Sequence, residues 1–445
     1  MVTRKAELKI KQWISSSKSA LIVTGARQVG KTFSIRKCLT ELKCNYLEIN
    51  LVEQRELISV IESSSSVNDL VINLTAATNY SFVKGETILF IDEVQEAKDI
   101  VTRIKFWVDE GSFRYILSGS LLGVELNSLR SAPVGYLDEI MMFPLDMEEF
   151  LLASSVKPEV IEHLRTCYEN KTSVGETVHK TMLKHFKRYL VVGGMPNAVR
   201  EYVESADIAR VTAIQKNIIE MYKLDFTKYE AKDKKLMIIS IYDTLSSQLL
   251  KQNRRFNYND IKNGLKFERA ESSFLWLASA GVVIPTYNAT EVSVPLRANA
   301  KKSLLKLYAN DVGLLTCMYG NSLRTKILIE NGAVNLGGIY ENAVAQELNT
   351  HGFTTYYYNS HKNGELDFLI EKGLQVLPID VKSGKDYYVH SAMSKAVSNQ
   401  DYKISEAYTL TNYDLKIQNG VTYLPVYLCM FIDDESTLSI LERIE

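Results

Sequence analysis

The stretch that decides the fold of this chain is Gly25-Ala26-Arg27-Gln28-Val29-Gly30-Lys31-Thr32. It follows an apolar strand-like segment, Ala20–Thr24, and precedes a segment with helical periodicity, Thr32–Leu42. Two glycines followed by Lys and Thr, between a strand and a helix, are typical of a phosphate-binding loop, whose backbone N–H groups surround the β-phosphate. We therefore expect all eight residues to bind ATP, with Lys31 reaching the β- and γ-phosphates and the Thr32 hydroxyl binding Mg²⁺.

An acidic motif supports this expectation. Residues 87–91 form an apolar segment that ends in Asp92 and Glu93. We expect Asp92 to hold the Mg²⁺ shell and Glu93 to orient and polarise the attacking water. At the end of the next predicted strand, Ser118 or Ser120 is a candidate for positioning that water, although a plain Ser-Gly turn fits equally well. The predicted catalytic residues are Lys31, Glu93 and Ser118, and the predicted Mg²⁺ ligands here are Thr32 and Asp92.

Composition sets wide bounds on the class of protein. The 445 residues exceed one ordinary core, so two or three domains are expected. The net charge of −1 gives no general attraction to nucleic acid or membrane, so a nucleic-acid surface has to be a local basic patch. The five cysteines lack zinc-site spacing, and the apolar runs are too short to span a bilayer. With no signal peptide in the sequence, we expect a soluble, cytoplasmic protein that does not bind membranes.

The periodicity divides the chain into three α/β or helical regions. In the first part of the chain, strands and helices alternate, which predicts a mainly parallel sheet. From about residue 235, three helices (236–250, 258–266 and 268–280) and two apolar segments (282–284 and 292–294) suggest a winged helix. Strands return in the last third, at 354–359, 365–371 and 374–381.

A second group of acidic residues lies in the last region. Asp367 and Asp380 fall on neighbouring predicted strands, and Lys382 shares a strand face with Asp380. Paired suitably, the two aspartates would bind a divalent cation, with Glu341 as a further ligand and Lys382 holding or activating water for attack on a phosphodiester. An exposed hairpin carrying charge pairs is the alternative.

Further motifs follow in the same order as in a known family. These are Phe90-Ile91-Asp92-Glu93-Val94-Gln95, Leu117-Ser118-Gly119-Ser120, Phe143-Pro144-Leu145-Asp146-Met147-Glu148-Glu149-Phe150, Gly193-Gly194-Met195-Pro196, Leu307-Tyr308-Ala309-Asn310-Asp311-Val312-Gly313-Leu314, Gly338-Ile339-Tyr340-Glu341-Asn342, Gly364-Glu365-Leu366-Asp367-Phe368 and Ile379-Asp380-Val381-Lys382-Ser383-Gly384. With residues 24–32, they resemble prokaryotic AAA+ P-loop ATPases that carry a restriction-endonuclease-like C-terminal region.

The resemblance implies an α/β architecture with three parts. These are an AAA+ P-loop domain with a parallel sheet and helical lid (1–225), a winged helix (226–325) and a PD-(D/E)xK nuclease-like domain (326–445). It implies that Pro196 packs near adenine. The sequence departs from the family at Tyr136, where relatives often carry a basic residue, so the sequence identifies no arginine finger, and Arg114 and Arg130 are guesses. The proline usual ahead of Asp367 is also missing.

Two functions remain open at this stage. One is an ATP-driven or ATP-gated enzyme whose C-terminal domain grips or cuts DNA. The other is a nucleotide-dependent switch that recruits a protein partner or a second copy of itself, with an inactive nuclease-like domain. The basic runs at 232–235, 251–255 and 301–302 are short, and they fit either phosphate contacts or ordinary solvated surface.

Overall fold

The structure is a computed structural model that describes residues 3–97, 99–120, 135–226, 232–329, 336–384 and 391–434. The chain divides into two compact units. The first unit comprises Met1–Phe143 with Ser279–Gly281, and the second comprises Pro144–Ala278 with Val282–Glu445. The arginine-finger candidate Arg130 lies outside the described residues. None of the helices in the described ranges combines the length and apolar character needed to cross a bilayer.

The first unit contains a five-stranded sheet with all neighbouring strands parallel. Its strands are β1 (Ala20–Thr24), β2 (Tyr46–Asn50), β3 (Ile88–Asp92), β4 (Arg114–Ser118) and β5 (Leu137–Met141), in the order β2-β3-β4-β1-β5. Its helices are α1 (Lys5–Ser16), α2 (Lys31–Glu41), α3 (Glu56–Ser63), α4 (Val67–Thr78) and α5 (Asp99–Glu110). The predicted parallel sheet is confirmed. β1 and β3 are buried along their whole length, as expected of central parallel strands that read as apolar runs.

The core of this unit explains the helical periodicity. Helix α5 buries Ile100, Ile104 and Trp107 on one face, at helical spacing. These side chains pack in one apolar cluster with Ile91 of β3 and Leu117 of β4. Because parallel strands end at the same sheet edge, the residues after β1, β3 and β4 are brought together there.

The second unit contains a mixed, eight-stranded sheet surrounded by helices. The strands are β6 (Val283–Ala289), β7 (Ala300–Ala309), β8 (Tyr356–Ser360), β9 (Gly364–Lys372), β10 (Gln375–Val381), β11 (Tyr408–Thr411), β12 (Lys416–Gln418) and β13 (Val421–Pro425), in the order β12-β13-β11-β10-β9-β8-β6-β7. The helices are α6 (Met147–Ala153), α7 (Pro158–Asn170), α8 (Glu176–Val192), α9 (Pro196–Ser205), α10 (Ile208–Phe226), α11 (Lys232–Leu250), α12 (Phe267–Ser279), α13 (Val312–Met318), α14 (Asn321–Ile329), α15 (Gly337–Thr350) and α16 (Ser391–Ser398).

Helix α6 begins at Met147, directly after its N-cap residue Asp146. The Asp146 carboxylate accepts a hydrogen bond from the Glu149 N–H at 2.8 Å, and the Glu149 side chain accepts one from the Asp146 N–H. This capping box satisfies two N–H groups that the helix itself cannot.

Two predictions in the 226–325 region are wrong. The helix predicted at 258–266 is only a 3₁₀ turn, Tyr258–Asp260, because the Asn257 side chain accepts a hydrogen bond from the Asn259 N–H and favours a turn over a helix. The segment 292–294 forms no strand and leads into Pro295, which has no N–H to donate to a ladder. The strand that pairs with β6 is β7 instead.

The β6–β7 pair is not the isolated two-stranded hairpin that forms the wing of a winged helix. β6 pairs antiparallel with β7 and also parallel with β8, through Tyr287–Tyr356 and Ala289–Tyr358. The large sheet therefore runs across the boundary that the sequence suggests between 325 and 326. The strands predicted at 354–359, 365–371 and 374–381 are present as β8, β9 and β10.

Candidate active site

The glycines of the loop between β1 and α2 are required by its backbone. Gly25 has φ +128°, and a Cβ placed on it would lie 2.1 Å from the Met142 carbonyl oxygen. Gly30 has φ +97° and is the N-cap of α2. A side chain at either position would strain the loop or displace its neighbour. The spacing of these glycines therefore reflects local geometry that the sequence motif captured.

Lys31 extends back over this loop. Its ammonium donates hydrogen bonds to the carbonyl oxygens of Gly25 and Ala26, each at 2.9 Å. Only 7% of the residue is exposed. The positive charge is therefore held beside the loop N–H groups, where an anionic phosphate would be favoured.

Arg4, which the sequence analysis missed, supports the loop from behind. Its guanidinium donates to the Val29 carbonyl at 3.1 Å and to the Phe143 carbonyl at 2.8 Å. Arg4 is 8% exposed and Val29 is fully buried. The residue precedes the motif by some twenty positions, so no local spacing connects the two.

Asp92 is the centre of a polar cluster at the sheet edge. Its Oδ2 accepts hydrogen bonds from the Thr32 hydroxyl at 2.8 Å and from the Asn50 amide at 3.4 Å. Its Oδ1 accepts one from the Ser118 hydroxyl. Asp92 is 3% exposed, and the three partners come from α2, β2 and β4. The predicted residues Thr32, Asp92 and Ser118 are thus brought together, and Asn50 is an addition.

This arrangement fits a magnesium ion. The 2.8 Å between Thr32 Oγ1 and Asp92 Oδ2 is close to the edge of a Mg²⁺ octahedron, about 2.9 Å for ligands at 2.0–2.1 Å. Both atoms are hard oxygens, the kind that Mg²⁺ prefers, and a site of this class takes its other ligands from water and substrate phosphates.

Glu93 has an unusual backbone conformation for a non-glycine residue, with φ +55° and ψ +43°. Its N–H donates to Asp92 Oδ1 at 3.0 Å, and its carboxylate accepts a hydrogen bond from the Gln95 amide at 2.5 Å. Left-handed backbone outside glycine is uncommon and clusters at functional sites. The half-buried Glu93 carboxylate is thereby fixed next to Asp92.

Two other predicted residues lie elsewhere. Arg114 begins β4, at the end of the strand opposite to Ser118, and its guanidinium donates to the Ile14 carbonyl. It is therefore fixed away from the phosphate edge of its own sheet, and its candidacy as an arginine finger stays a prediction. Pro196 belongs to the second unit and is the first residue of α9.

In the second unit, the predicted nuclease-like residues come together. Antiparallel pairing of Phe368 with Ile379 brings Asp367 and Asp380 opposite each other on β9 and β10. The Lys382 ammonium lies 2.9 Å from Asp380 Oδ2. Glu341 approaches the same cluster from α15.

Two buried cations, which the sequence analysis did not predict, lie among these acids. The Lys306 ammonium is 2.7 Å from Glu365, 3.4 Å from Asp367 and 3.6 Å from Glu341, and Lys306 is 1% exposed. The Arg254 guanidinium pairs with Glu341.

The metal centre predicted from Glu341, Asp367 and Asp380 stays a prediction, and the two cations bear on it. Within the described residues, there is no group of three or more His, Cys, Asp or Glu side chains arranged to hold a metal ion. The physical reason is that the ammonium of Lys306 and the guanidinium of Arg254 already supply the positive charge that these carboxylates require.

Burial and mutual repulsion set the protonation of the cluster. Burial, with the nearby Asp367 charge, raises the pKa of Glu341 to about 7. The same two causes hold the pKa of Asp380 well above its usual value. Although burial opposes ionisation, the Lys306 charge and a hydrogen bond from Asp380 lower the pKa of Asp367. The two aspartates therefore titrate as a coupled pair, in which the pKa of Asp380 is raised and that of Asp367 is lowered.

We expect Glu341→Gln to weaken the pH dependence of stability between pH 4.5 and about 7. Because the folded-state pKa of Glu341 is raised, its stabilising contribution is complete below the unfolded value of 4.5 and is lost as pH rises through 7. Urea unfolding at pH 5 and pH 7.5 measures this loss, with the exposed Glu291→Gln variant as the control. An equal fall in stability for wild type and Glu341→Gln would contradict it.

Comparison with known families gives a match for the region of the first site. Residues 17–151 match a family described as an AAA domain. Residues 183–325 and 336–429 match two families that are each described as a domain of unknown function (DUF8612 and DUF4143). The AAA match contains every P-loop and β3 residue described above. A comparison with curated protein sequences found no match.

Solved structures give weaker similarities. A Walker-type ATPase of Pyrococcus abyssi is 15% identical, with 72% of this chain and 96% of that chain covered and a TM-score of 0.43. The Orc1 protein of Aeropyrum pernix, solved in complex with DNA, is 13% identical over 74% of this chain and 95% of its own, with a TM-score of 0.29. Cdc6p of Pyrobaculum aerophilum is 11% identical over 73% and 92%, with a TM-score of 0.25. These scores are too low to carry a functional argument.

Proposed function

We propose that this ATPase, whose AAA domain is residues 17–151, hydrolyses ATP with Mg²⁺ at the P-loop and couples turnover to DNA bound by its second unit. The observation that carries the ATP site is the contact between the Thr32 hydroxyl and the Asp92 carboxylate, 2.8 Å apart and directly after the glycine loop. The coupling to DNA is a separate inference, which rests on basic residues of the second unit.

Each residue of the ATP site has a defined task in this proposal. Lys31 and the loop N–H groups bind the phosphates, and the Ser118 and Asn50 hydrogen bonds hold Asp92 in one orientation. Glu93, itself held by Gln95, orients the attacking water and accepts its proton. Bound Mg²⁺ would be held by Thr32 and Asp92 and would neutralise charge on the phosphates.

Glu93→Gln is expected to bind ATP almost as wild type does but to hydrolyse it roughly 100-fold or more slowly, because the amide cannot accept the proton from water. Binding of a fluorescent ATP analogue and phosphate release measure the two properties. Glu86→Gln, an exposed glutamate just before β3, is the matched control and should keep the wild-type rate. Wild-type hydrolysis by Glu93→Gln would assign water activation to another group.

The helices that follow the ATPase sheet in the chain are candidates for a lid. Gly194 packs tightly against Leu145 in the second unit, since a Cβ on Gly194 would lie 2.0 Å from the Leu145 carbonyl oxygen. Pro196 begins α9 directly after this contact. We infer that residues 144–225 form the helical lid, with Pro196 as the adenine-binding proline that the family resemblance implies.

DNA is favoured as the ligand of the second unit by the basic run at 251–255. Arg254 points inward to Glu341, whereas Arg255 is exposed. Because Lys306 and Arg254 neutralise the nuclease-like acids, we infer that the region grips DNA and does not cut it. ATP turnover with and without DNA tests the coupling, and incubation of DNA with Mn²⁺ tests for cleavage. An ATP hydrolysis rate that is the same with and without DNA would contradict the coupling.

The alternative function is a nucleotide-dependent switch, in which ATP binding recruits a protein partner or a second copy of the chain. The neutralised acidic cluster is equally compatible with it. Glu93→Gln, which is expected to retain ATP, distinguishes the two functions. If ATP promotes association with a protein partner or a second copy, and DNA leaves ATP turnover unchanged, the switch is favoured.

A further inference from the structure

We propose that a cavity on the second unit binds single-stranded nucleic acid, with a base against Tyr258 and Phe267 and phosphates at Arg255 and Lys266. The inference rests on the DNA-binding part of the proposed function and names its site. The cavity, here called the 251–268 cavity, has a volume of 680 Å³, within the range of roughly 300–1,000 Å³ usual for ligand sites. Its lining residues are Lys251, Asn253, Arg255, Phe256, Asn257, Tyr258, Asn259, Leu265, Lys266, Phe267, Glu268, Ser303 and Leu304.

Aromatic rings form one wall of the 251–268 cavity. The Tyr258 and Phe267 rings are half-buried, with centroids 6.1 Å apart, and both pack on Phe274, at 5.9 and 6.3 Å. The Tyr258 hydroxyl donates to the Ser303 carbonyl at 2.8 Å. These contacts fix the rings before any ligand arrives, so little side-chain entropy is lost when a base stacks on them.

The charges around the rings are mainly positive. Arg255 and Lys266 are exposed, and neither forms an ion pair with any residue in the described part of the chain. Lys251 is paired with Asp260, and Glu268 is the acidic residue in the lining. Two uncompensated cations beside two aromatic rings complement a polymer that alternates phosphates and planar bases.

Neighbouring arginines give the segment its orientation. Arg254 points into the acidic cluster and pairs with Glu341, whereas the next residue, Arg255, lines the cavity. The Asn253 side chain accepts a hydrogen bond from the Arg255 N–H at 3.0 Å, and the Phe256 N–H donates to the Leu305 carbonyl at 2.8 Å. The Arg254–Glu341 ion pair thus fixes the chain segment on which Arg255 lies.

Single strands are favoured over duplex by the position of the rings. Tyr258 and Phe267 line a recess and are not on a protruding surface. A base within a duplex is already stacked on both faces, so only an unpaired base can enter the recess and stack there.

The test is fluorescence anisotropy of a fluorescein-labelled 20-nucleotide oligo-dT with the full chain. Phe267→Leu removes the ring and keeps an apolar side chain, and we expect it to lower affinity by roughly 5- to 100-fold. Arg255→Ala should lower affinity and reduce the slope of log affinity against log salt by about 0.7, the value for one phosphate contact on a single strand. Arg200→Ala, an exposed arginine on α9, is the matched control.

Several outcomes would overturn the inference. Oligo-dT binding that is unaltered in both Phe267→Leu and Arg255→Ala assigns the DNA to another surface, while the DNA-coupled function stands. Preference of wild type for duplex overturns the single-strand assignment. If wild type binds neither form at low salt, the DNA part of the proposed function falls as well. Thermal melting checks that Phe267→Leu is folded, and the surface variant Arg255→Ala tests the site if it is not.

Discussion

Lys31→Ala is expected to reduce ATP hydrolysis by roughly 100- to 1,000-fold or more and to abolish detectable ATP binding at micromolar protein. The Lys31 ammonium is nearly buried and is held by two loop carbonyls at 2.9 Å. Its replacement removes the full positive charge that the loop itself places beside the phosphates and leaves there the partial charges of its N–H groups. Since the phosphates carry more negative charge than these partial charges balance, both binding and turnover should suffer.

The measurement is phosphate release at saturating ATP, together with binding of a fluorescent ATP analogue. Lys84→Ala changes an exposed lysine of the same unit and should behave as wild type. Lys31→Ala and Glu93→Gln are expected to differ in one respect, because only the first should lose binding. Lys31→Ala with wild-type binding and turnover would remove the P-loop from the proposed mechanism.

The backbone geometry of the candidate ATP site was predictable because its determinants are local. Gly25 is required because the Met142 carbonyl lies where a Cβ would be, and Gly30 because the chain enters α2 in a left-handed conformation. Such backbone requirements leave a fixed spacing in the sequence. Asp92 was predictable for a related reason, since it ends a continuous apolar strand.

The supporting residues were not predictable in the same way. Arg4 and Asn50 act through the fold, one from the chain start and one from the end of the neighbouring strand β2. No spacing links them to the residues they contact, because tertiary packing decides which distant side chains meet. The β6–β7 pair was misjudged for the same reason, as its pairing with β8 lies some seventy residues along the chain.

For the acidic cluster, the sequence motif predicted which residues lie together but not which groups balance their charge. The strand pattern correctly indicated that Asp367, Asp380 and Lys382 lie together, since pairing and alternation are periodic. It could not indicate what neutralises them. A short acidic motif is the same whether a metal ion or a lysine from a distant strand is the counter-ion, and here Lys306 comes from β7.

Lys306→Met is therefore expected to destabilise the second unit by about 3–5 kcal/mol. Lys306 is 1% exposed and touches three carboxylates, of which Glu341 and Asp367 are buried, so methionine would leave these two without this partner. This loss in the free energy of unfolding is larger than that expected on replacing an exposed lysine. Lys302→Met changes an exposed lysine of the same strand and should alter stability by no more than about 0.5 kcal/mol.

Urea unfolding at neutral pH, followed by circular dichroism, measures the difference between Lys306→Met and Lys302→Met. The same experiment on wild type with Mn²⁺ or with EDTA should give one curve, because Lys306 and Arg254 occupy the place of a metal among the acids. Two results would contradict this reasoning in different ways. Equal stability of the two variants would mean that the Lys306 contacts contribute little. Stabilisation of wild type by Mn²⁺ that is lost in Asp380→Ala would mean that the cluster binds metal by displacing its lysine.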